Sequence, residues 1–298
     1  MVIGFIGLGN MGKPIAMNML KAGNNVFVSP AFGNEAPAKE LEEQGATIVA
    51  TIREVIESAE TLVTILPADK QIIDVYLGAD GVLECIREGA VCIEMTSSRG
   101  NTIKSVEDEA KKRGKNIRFI DAPVSGGVDA AKVGTLTIMV SGQKDVVDSY
   151  IPLLELVGKK IIYTGEELGS AKSIKMLNQM LNAGNTCVAS EVIYLAQQLG
   201  IDMDILSNVV NESSGGSWVF KNNVSKFILP QNFEGGFKLE LMKKDVGLAM
   251  EQAFSDNISL PIINMVHQML TSEANLNHGS KNYNIVSNWI KRHNNPTN

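Results

Sequence analysis

The chain has 298 residues, enough for two domains, and its 44% hydrophobic and 20% charged residues are those of a globular protein. A net charge of −6 argues against a nucleic-acid surface, and no apolar run approaches the roughly 20 residues of a membrane helix. The first strand signal begins at Val2 with no basic segment ahead of an apolar one, so no signal peptide is expected and a cytoplasmic location is.

The first element is Val2–Ile6, an apolar run that reads as a buried strand. Gly7-Leu-Gly9-Asn10-Met11-Gly12 follows, and then a helical run to Lys21 that Gly23 ends. Strand, glycines and helix in this order are the setting a dinucleotide fingerprint requires. Gly7 allows a tight turn, Gly9 lets the backbone approach a pyrophosphate, and Gly12 lets helix and strand pack closely. The pyrophosphate would sit on the unpaired N–H groups of the helix start. Gly7, Gly9, Asn10, Met11 and Gly12 are the candidate cofactor loop, and an ordinary glycine-rich turn is the alternative.

The second strand, 25–29, should end beside an adenosine ribose. An acid there bonds the 2′-hydroxyl of NAD, and an arginine nearby meets the 2′-phosphate of NADP. Ser29-Pro30-Ala31-Phe32 supplies neither, and the nearest downstream cation is Lys39. Ser29 is the candidate contact. Weak discrimination between NAD and NADP is expected, with NAD slightly favoured.

Further strands are expected at 47–49, 61–65, 90–94, 117–120, 136–140 and 160–163, with helices such as 102–113 and 144–157 between them. This alternation implies a largely parallel, doubly wound sheet. After Gly165 the strand signals stop. Ile174, Leu177, Leu181, Val188, Val192, Leu195 and Leu199 then recur close to helical period. Gly200 is the expected stop, and Asp202 the cap of the next helix. More helices are expected at 203–212, 218–227, 239–256, 261–275 and 281–292, with a frayed tail over 293–298. The change of pattern divides the chain into an α/β domain, 1–164, and an all-α domain, 165–298.

Three other stretches carry candidate chemistry. In Asp121-Ala-Pro-Val-Ser125-Gly126-Gly127, Ser125 offers a hydroxyl and the glycines offer bare N–H groups, a nest that suits a carboxylate. A plain strand-to-helix turn is the commoner use of such a stretch. Lys175, Asn178 and Gln179 stand at i, i+3 and i+4 of the long helix and share a face. A solvated polar stripe and a functional amine with two amides account for them equally well. Lys243-Lys244-Asp245 reads as the charged first turn of an amphipathic helix. Cys85, Cys92 and Cys187 have no metal spacing and read as buried reduced thiols. His267, His278 and His293 fall in no metal or triad pattern, and no metal site is expected.

Taken in order, the loop at 7–12, the heptad at 121–127, the run from Gly169 to Gln179 and Lys244-Asp245 with its helix resemble the β-hydroxyacid dehydrogenases. The resemblance covers essentially the whole chain, and the heptad is its most specific part. It implies a Rossmann-like domain followed by an all-helical one. The implied activity is NAD(P)-dependent hydride transfer between a short-chain 3-hydroxy acid and its semialdehyde, in a homodimer or homotetramer. By the same resemblance Lys175 is the catalytic acid/base. It would take the hydroxyl proton on oxidation and return it on reduction. Ser125, Gly126 and Gly127 would bind the substrate carboxylate, helped by Asn178 and Gln179. Leu66, Pro67 and Thr96 join the cofactor contacts, and Lys244 matches a family lysine near the nicotinamide end. The Lys-x-x-Asn-Gln order looks more like the tartronate semialdehyde reductases than the 3-hydroxyisobutyrate dehydrogenases. The chain departs from the family in two places. Gly169-Ser-Ala171 stands for the usual Gly-x-Gly, and Thr96-Ser-Ser-Arg99-Gly100 for the usual Ser-Ser/Thr-x-x-Pro. The competing readings are a cofactor-binding sensor or scaffold and an imine reductase, and the resemblance associates both with loss of the lysine that this chain keeps.

Overall fold

The computed structural model describes residues 1–31 and 33–294; Phe32 of the turn after the second strand and 295–298 of the expected tail lie outside the described residues. Two compact units are present, Met1–Lys175 and Met176–Asn298. The division between them falls inside one continuous helix, Ser170–Gln198.

The first unit is a single sheet of nine strands among the described residues: β1 (Val2–Ile6), β2 (Asn25–Val28), β3 (Thr47–Ile48), β4 (Thr61–Thr64), β5 (Val91–Glu94), β6 (Arg118–Asp121), β7 (Val124–Ser125), β8 (Leu136–Ser141) and β9 (Gly158–Gly165). Their order is 3-2-1-4-5-6-8-7, with β9 also on β8. β3 through β6 in that order are all parallel, as the alternation of strand and helix requires. This is a Rossmann-like sheet. Helices cover both of its faces, so β4 and β5 are buried at every residue. Successive side chains feed two separate cores. Phe5, Val63, Val91, Ile93 and Ile120 pack on one face. Leu62, Cys92 and Phe119 pack on the other. The strand order reverses beside β1, and the carboxyl ends of β1 and β4 flank the crevice where such sheets take a ligand.

The far edge differs from the expected alternation. β6 and β7 both pair antiparallel with β8. Two residues carry no period of their own, so β7 escapes a sequence reading although it holds Ser125.

The second unit is helical. Beyond the long helix come Met203–Asn211, Trp218–Asn223, Leu239–Ser255, Pro261–Glu273 and Ser287–Asn294. Asp202 caps the first of these, its carboxylate accepting from the N–H groups of Asp204 and Ile205. Ala183, Cys187, Leu239, Met242, Val246, Leu270 and Val286 form the unit's main core. Cys92 and Cys187 are buried and Cys85 is half-buried, and all three are free. Burial pushes the Cys187 thiol up to about 12, which leaves it protonated and inert at neutral pH. Among the described residues no helix is long and apolar enough to cross a membrane.

The long helix presents an unexpected face to the interior. Its buried residues include Lys172, Lys175, Gln179, Ala183, Thr186 and Ser190. Its apolar stripe is open instead: Leu177 is 52% exposed, Leu181 68%, Leu195 59% and Leu199 66%. Helical periodicity identifies two faces; the leucine face is open here, and the buried face mixes these polar groups with Ala171, Cys187, Ala189, Ile193 and Ala196.

Candidate active site

The glycine loop closes β1 onto the first helix, Gly12–Lys21. Gly7 has φ +101°, and a Cβ there would lie 2.0 Å from the Ile65 carbonyl oxygen at the end of β4. A Cβ on Gly12 would lie 1.8 Å from the Gly7 carbonyl oxygen. Both glycines are therefore demanded by the fold. Gly9 is not: a Cβ there would meet nothing within 4 Å. Asn10 and Met11 complete the turn, and no side chain caps the helix start. The N–H groups of that start and the open side of Gly9 fit an anion such as a pyrophosphate.

The β2 turn uses Ser29 internally. Its hydroxyl donates to the Ala50 carbonyl and accepts from the Ala31 N–H, both at 3.2 Å, and the residue is buried. Ser29 thus shapes the turn after β2 through both of these bonds. Thr96 is likewise buried and committed. Its hydroxyl donates to Glu94 and accepts from the Leu66 N–H at 2.8 Å, which ties the turn at Leu66 and Pro67 to the end of β5.

Glu94 and Asp121 end the neighbouring parallel strands β5 and β6 and stand directly beside each other in register. Both carboxylates are completely buried, and the cation between them is Lys172. Its ammonium bonds Glu94, donates to the Thr96 carbonyl at 2.7 Å and lies 3.1 Å from Asp121 Oδ1. Burial opposes the charge on Lys172, but attraction to Asp121 and Glu94 outweighs it and holds the ammonium above its ordinary range. Burial pushes the Glu94 carboxyl up, and Lys172 opposes that shift. Asp121 Oδ2 accepts from the Ser141 hydroxyl and from the N–H groups of Gly169 and Lys172, at 3.2, 3.1 and 3.3 Å. The start of the long helix is thereby bonded to the first residue of the 121–127 heptad. Neither Lys172 nor Glu94 was singled out from the sequence. The legible signal was an acid closing each of two apolar strands, Val-Cys-Ile-Glu94 and Phe-Ile-Asp121, which need a shared cation if the strands adjoin.

Ser125 is half-buried in β7. Gly126 and Gly127 follow at φ +136° and +75°, and a Cβ on Gly127 would meet nothing within 4 Å. Lys175 is 5% exposed and Gln179 3%, which removes the solvated-stripe reading for both. Asn178, between them on the helix, is exposed. In the second unit Gln179 Nε2 donates to Asp245 Oδ2 at 2.9 Å, and Asp245 Oδ1 lies 3.4 Å from Lys244 Nζ. The helix there starts at Leu239, so Lys243-Lys244-Asp245 is its second turn and not its first. Asp245 is buried and bonded, a role that a reading of it as surface charge does not foresee.

Residues 2–165 match the model of the NAD binding domain of 6-phosphogluconate dehydrogenase. Residues 169–289 match the model described as NAD-binding of NADP-dependent 3-hydroxyisobutyrate dehydrogenase. The chain is 34% identical to mitochondrial 3-hydroxyisobutyrate dehydrogenase of Mus musculus, over 97% of this chain and 87% of that protein. It is 35% identical to 2-(hydroxymethyl)glutarate dehydrogenase of Eubacterium barkeri, over 90% and 87%. Among solved structures it resembles Mycobacterium tuberculosis 3-hydroxyisobutyrate dehydrogenase with L-serine. There the TM-score is 0.88 at 27% identity, over 97% of this chain and 98% of that one. The cofactor is accordingly NAD or NADP.

The loop geometry separates two glycine substitutions. Gly7→Ala should cost more than about 2 kcal/mol of folding stability in urea titration, because left-handed backbone and a carbonyl clash combine. Gly9→Ala should keep stability within about 0.5 kcal/mol while weakening dinucleotide binding at least tenfold by calorimetry. Undiminished affinity in the second variant would remove this loop from cofactor contact.

Proposed function

We propose that this chain, which belongs to the β-hydroxyacid dehydrogenase family, interconverts a short-chain 3-hydroxy acid and its semialdehyde with Lys175 as the acid/base. One observation carries the reading. Lys175 is buried three residues beyond a helix position whose backbone N–H is bonded to Asp121, the head of the heptad that holds Ser125.

When bound, the nicotinamide dinucleotide supplies the hydride exchange. The chain's own residues bind the acid and move the proton. The substrate carboxylate rests on the Ser125 hydroxyl and the N–H groups of Gly126 and Gly127, on the side that Gly127 leaves open. Lys175 Nζ accepts the proton of the substrate hydroxyl on oxidation and donates it to the carbonyl oxygen on reduction. Asn178 and Gln179 follow on the same helix, Asn178 exposed and Gln179 bonded to Asp245. Substrate class follows from chemistry that the relatives' compounds share. 3-Hydroxyisobutyrate, 2-(hydroxymethyl)glutarate and L-serine each carry a CH2OH group on the carbon that bears a carboxylate. The proposed substrate has that same unit with a small variable third group.

Lys175→Ala should fold and bind dinucleotide while kcat for such an acid falls roughly 10²–10⁴-fold. KM should change less, because the proton transfer matters most in the transition state. Near-native kcat at neutral pH would take the lysine out of the mechanism.

Cofactor choice rests on the β2 turn. Ser29, Pro30 and Ala31 supply neither an acid nor an arginine for the ribose, so NAD(H) is favoured only slightly. Ala31→Arg should move the ratio of kcat/KM values toward NADP(H). A wild-type preference for NADP(H) above about a hundredfold, or roughly 2.7 kcal/mol, would reveal a phosphate site elsewhere.

The exposed stripe of the long helix supports a symmetric dimer or tetramer. Leu177, Leu181, Leu195 and Leu199 make an apolar surface that a second copy would cover. Light scattering at micromolar concentration should give at least twice the chain mass of 32.2 kDa. A monomeric mass would overturn the assembly.

A further inference from the structure

The pairing of Lys172 is more than charge neutralisation. Residue 172 is held twice. Its backbone N–H is on Asp121 Oδ2 at the end of β6, and its ammonium is on Glu94 and the Thr96 carbonyl at the end of β5. One point of attachment fixes where the helix starts. Two points, on different strands, also fix its rotation about its own axis. The contact of Gly100 with Gly169 sets the depth: a Cβ on Gly169 would lie 2.5 Å from the Gly100 carbonyl oxygen. Each helical residue turns by about 100°, so the phase set at Lys172 is the phase at Lys175 three residues later. The same network continues through Glu94 and the Thr96 hydroxyl to the Leu66 N–H. Leu66 follows Ile65, whose carbonyl abuts Gly7 of the dinucleotide loop.

We propose that Lys172 is a positioning residue, which sets the rotation of the Ser170–Gln198 helix and so the aim of Lys175 relative to the strand ends that carry the cofactor loop. This rests on the acid/base reading of Lys175. The prediction is a loss in kcat without a matching loss of binding, because misplacement of a reacting group by about 1 Å costs on the order of 100-fold.

The experiment compares the full-length wild type with Lys172→Met, with the double variant Lys172→Met/Glu94→Gln, and with Lys175→Ala. Each is measured for melting temperature, dinucleotide Kd, and kcat and KM for a 3-hydroxy acid. Lys172→Met leaves two facing carboxylates without their cation, and it should melt lower and lose between tenfold and a hundredfold in kcat, with Kd and KM within about threefold. The double variant restores the wild-type balance of one buried negative charge. Its melting temperature should recover while kcat stays low, because nothing ties residue 172 to β5. Should Lys172→Met not fold, the double variant carries the test. Wild-type kcat in Lys172→Met, or kcat recovering with melting temperature in the double variant, would reduce Lys172 to a structural charge and overturn the proposal. Near-native kcat in Lys175→Ala would instead bring down the acid/base reading itself.

Discussion

Two carboxylates at the ends of adjacent parallel strands impose the central constraint on the first unit. Glu94 and Asp121 are side by side in register, and neither reaches water. Such a pair repels itself and has lost its hydration, so it persists only with a cation and a full set of donors. Lys172 supplies the cation. Thr96, Ser141 and the N–H groups of Gly169 and Lys172 supply the donors. Taking one partner from a buried ion pair generally costs about 3–5 kcal/mol. A segment bonded this way cannot drift. The result is a fixed seam where the strand ends, the 121–127 heptad and the start of the long helix share one set of bonds.

The oxidoreductase chemistry of the family fits this seam. An α/β sheet presents ligands at the carboxyl ends of its strands, where the order reverses. Here the reversal lies beside β1, and the glycine loop leaves Gly9 open at that place. Backbone N–H groups such as those of the glycine loop and Gly126-Gly127 suit the charge of an anion more than its shape.

The long helix turns a mixed face inward, with several polar groups in it, and a leucine stripe outward. Lys172, Lys175 and Gln179 are buried while Leu177, Leu181, Leu195 and Leu199 are open. A solvated face made of leucines is unfavourable at roughly 25 cal/mol per Å² of apolar surface. The helix thus sets buried amine and amide groups on one face and an open leucine stripe on the other. Its sequence period alone states neither assignment.

Much was legible in the sequence because it is local. The strand–Gly7-x-Gly9-x-x-Gly12–helix order, the alternation of strands and helices to 165, the Asp202 cap and the heptad at 121–127 each rest on residues within a few positions of one another. The β-hydroxyacid dehydrogenase family was legible from four such motifs in order. What only the tertiary structure decided is non-local. Lys172 lies 78 residues from Glu94 and 51 from Asp121 in the sequence, and Gln179 lies 66 from Asp245. Periodicity defines the faces of a helix, but which face is buried depends on what the rest of the chain places against it. Ser29 and Thr96 show the same limit, since their hydroxyls are spent on Ala50, Ala31, Leu66 and Glu94. The sequence by itself determined the elements and the chemistry available at their ends. The strand register that sets Glu94 beside Asp121 decided that Lys172 is the cation of that pair, because Coulomb attraction depends on distance in space and not along the chain.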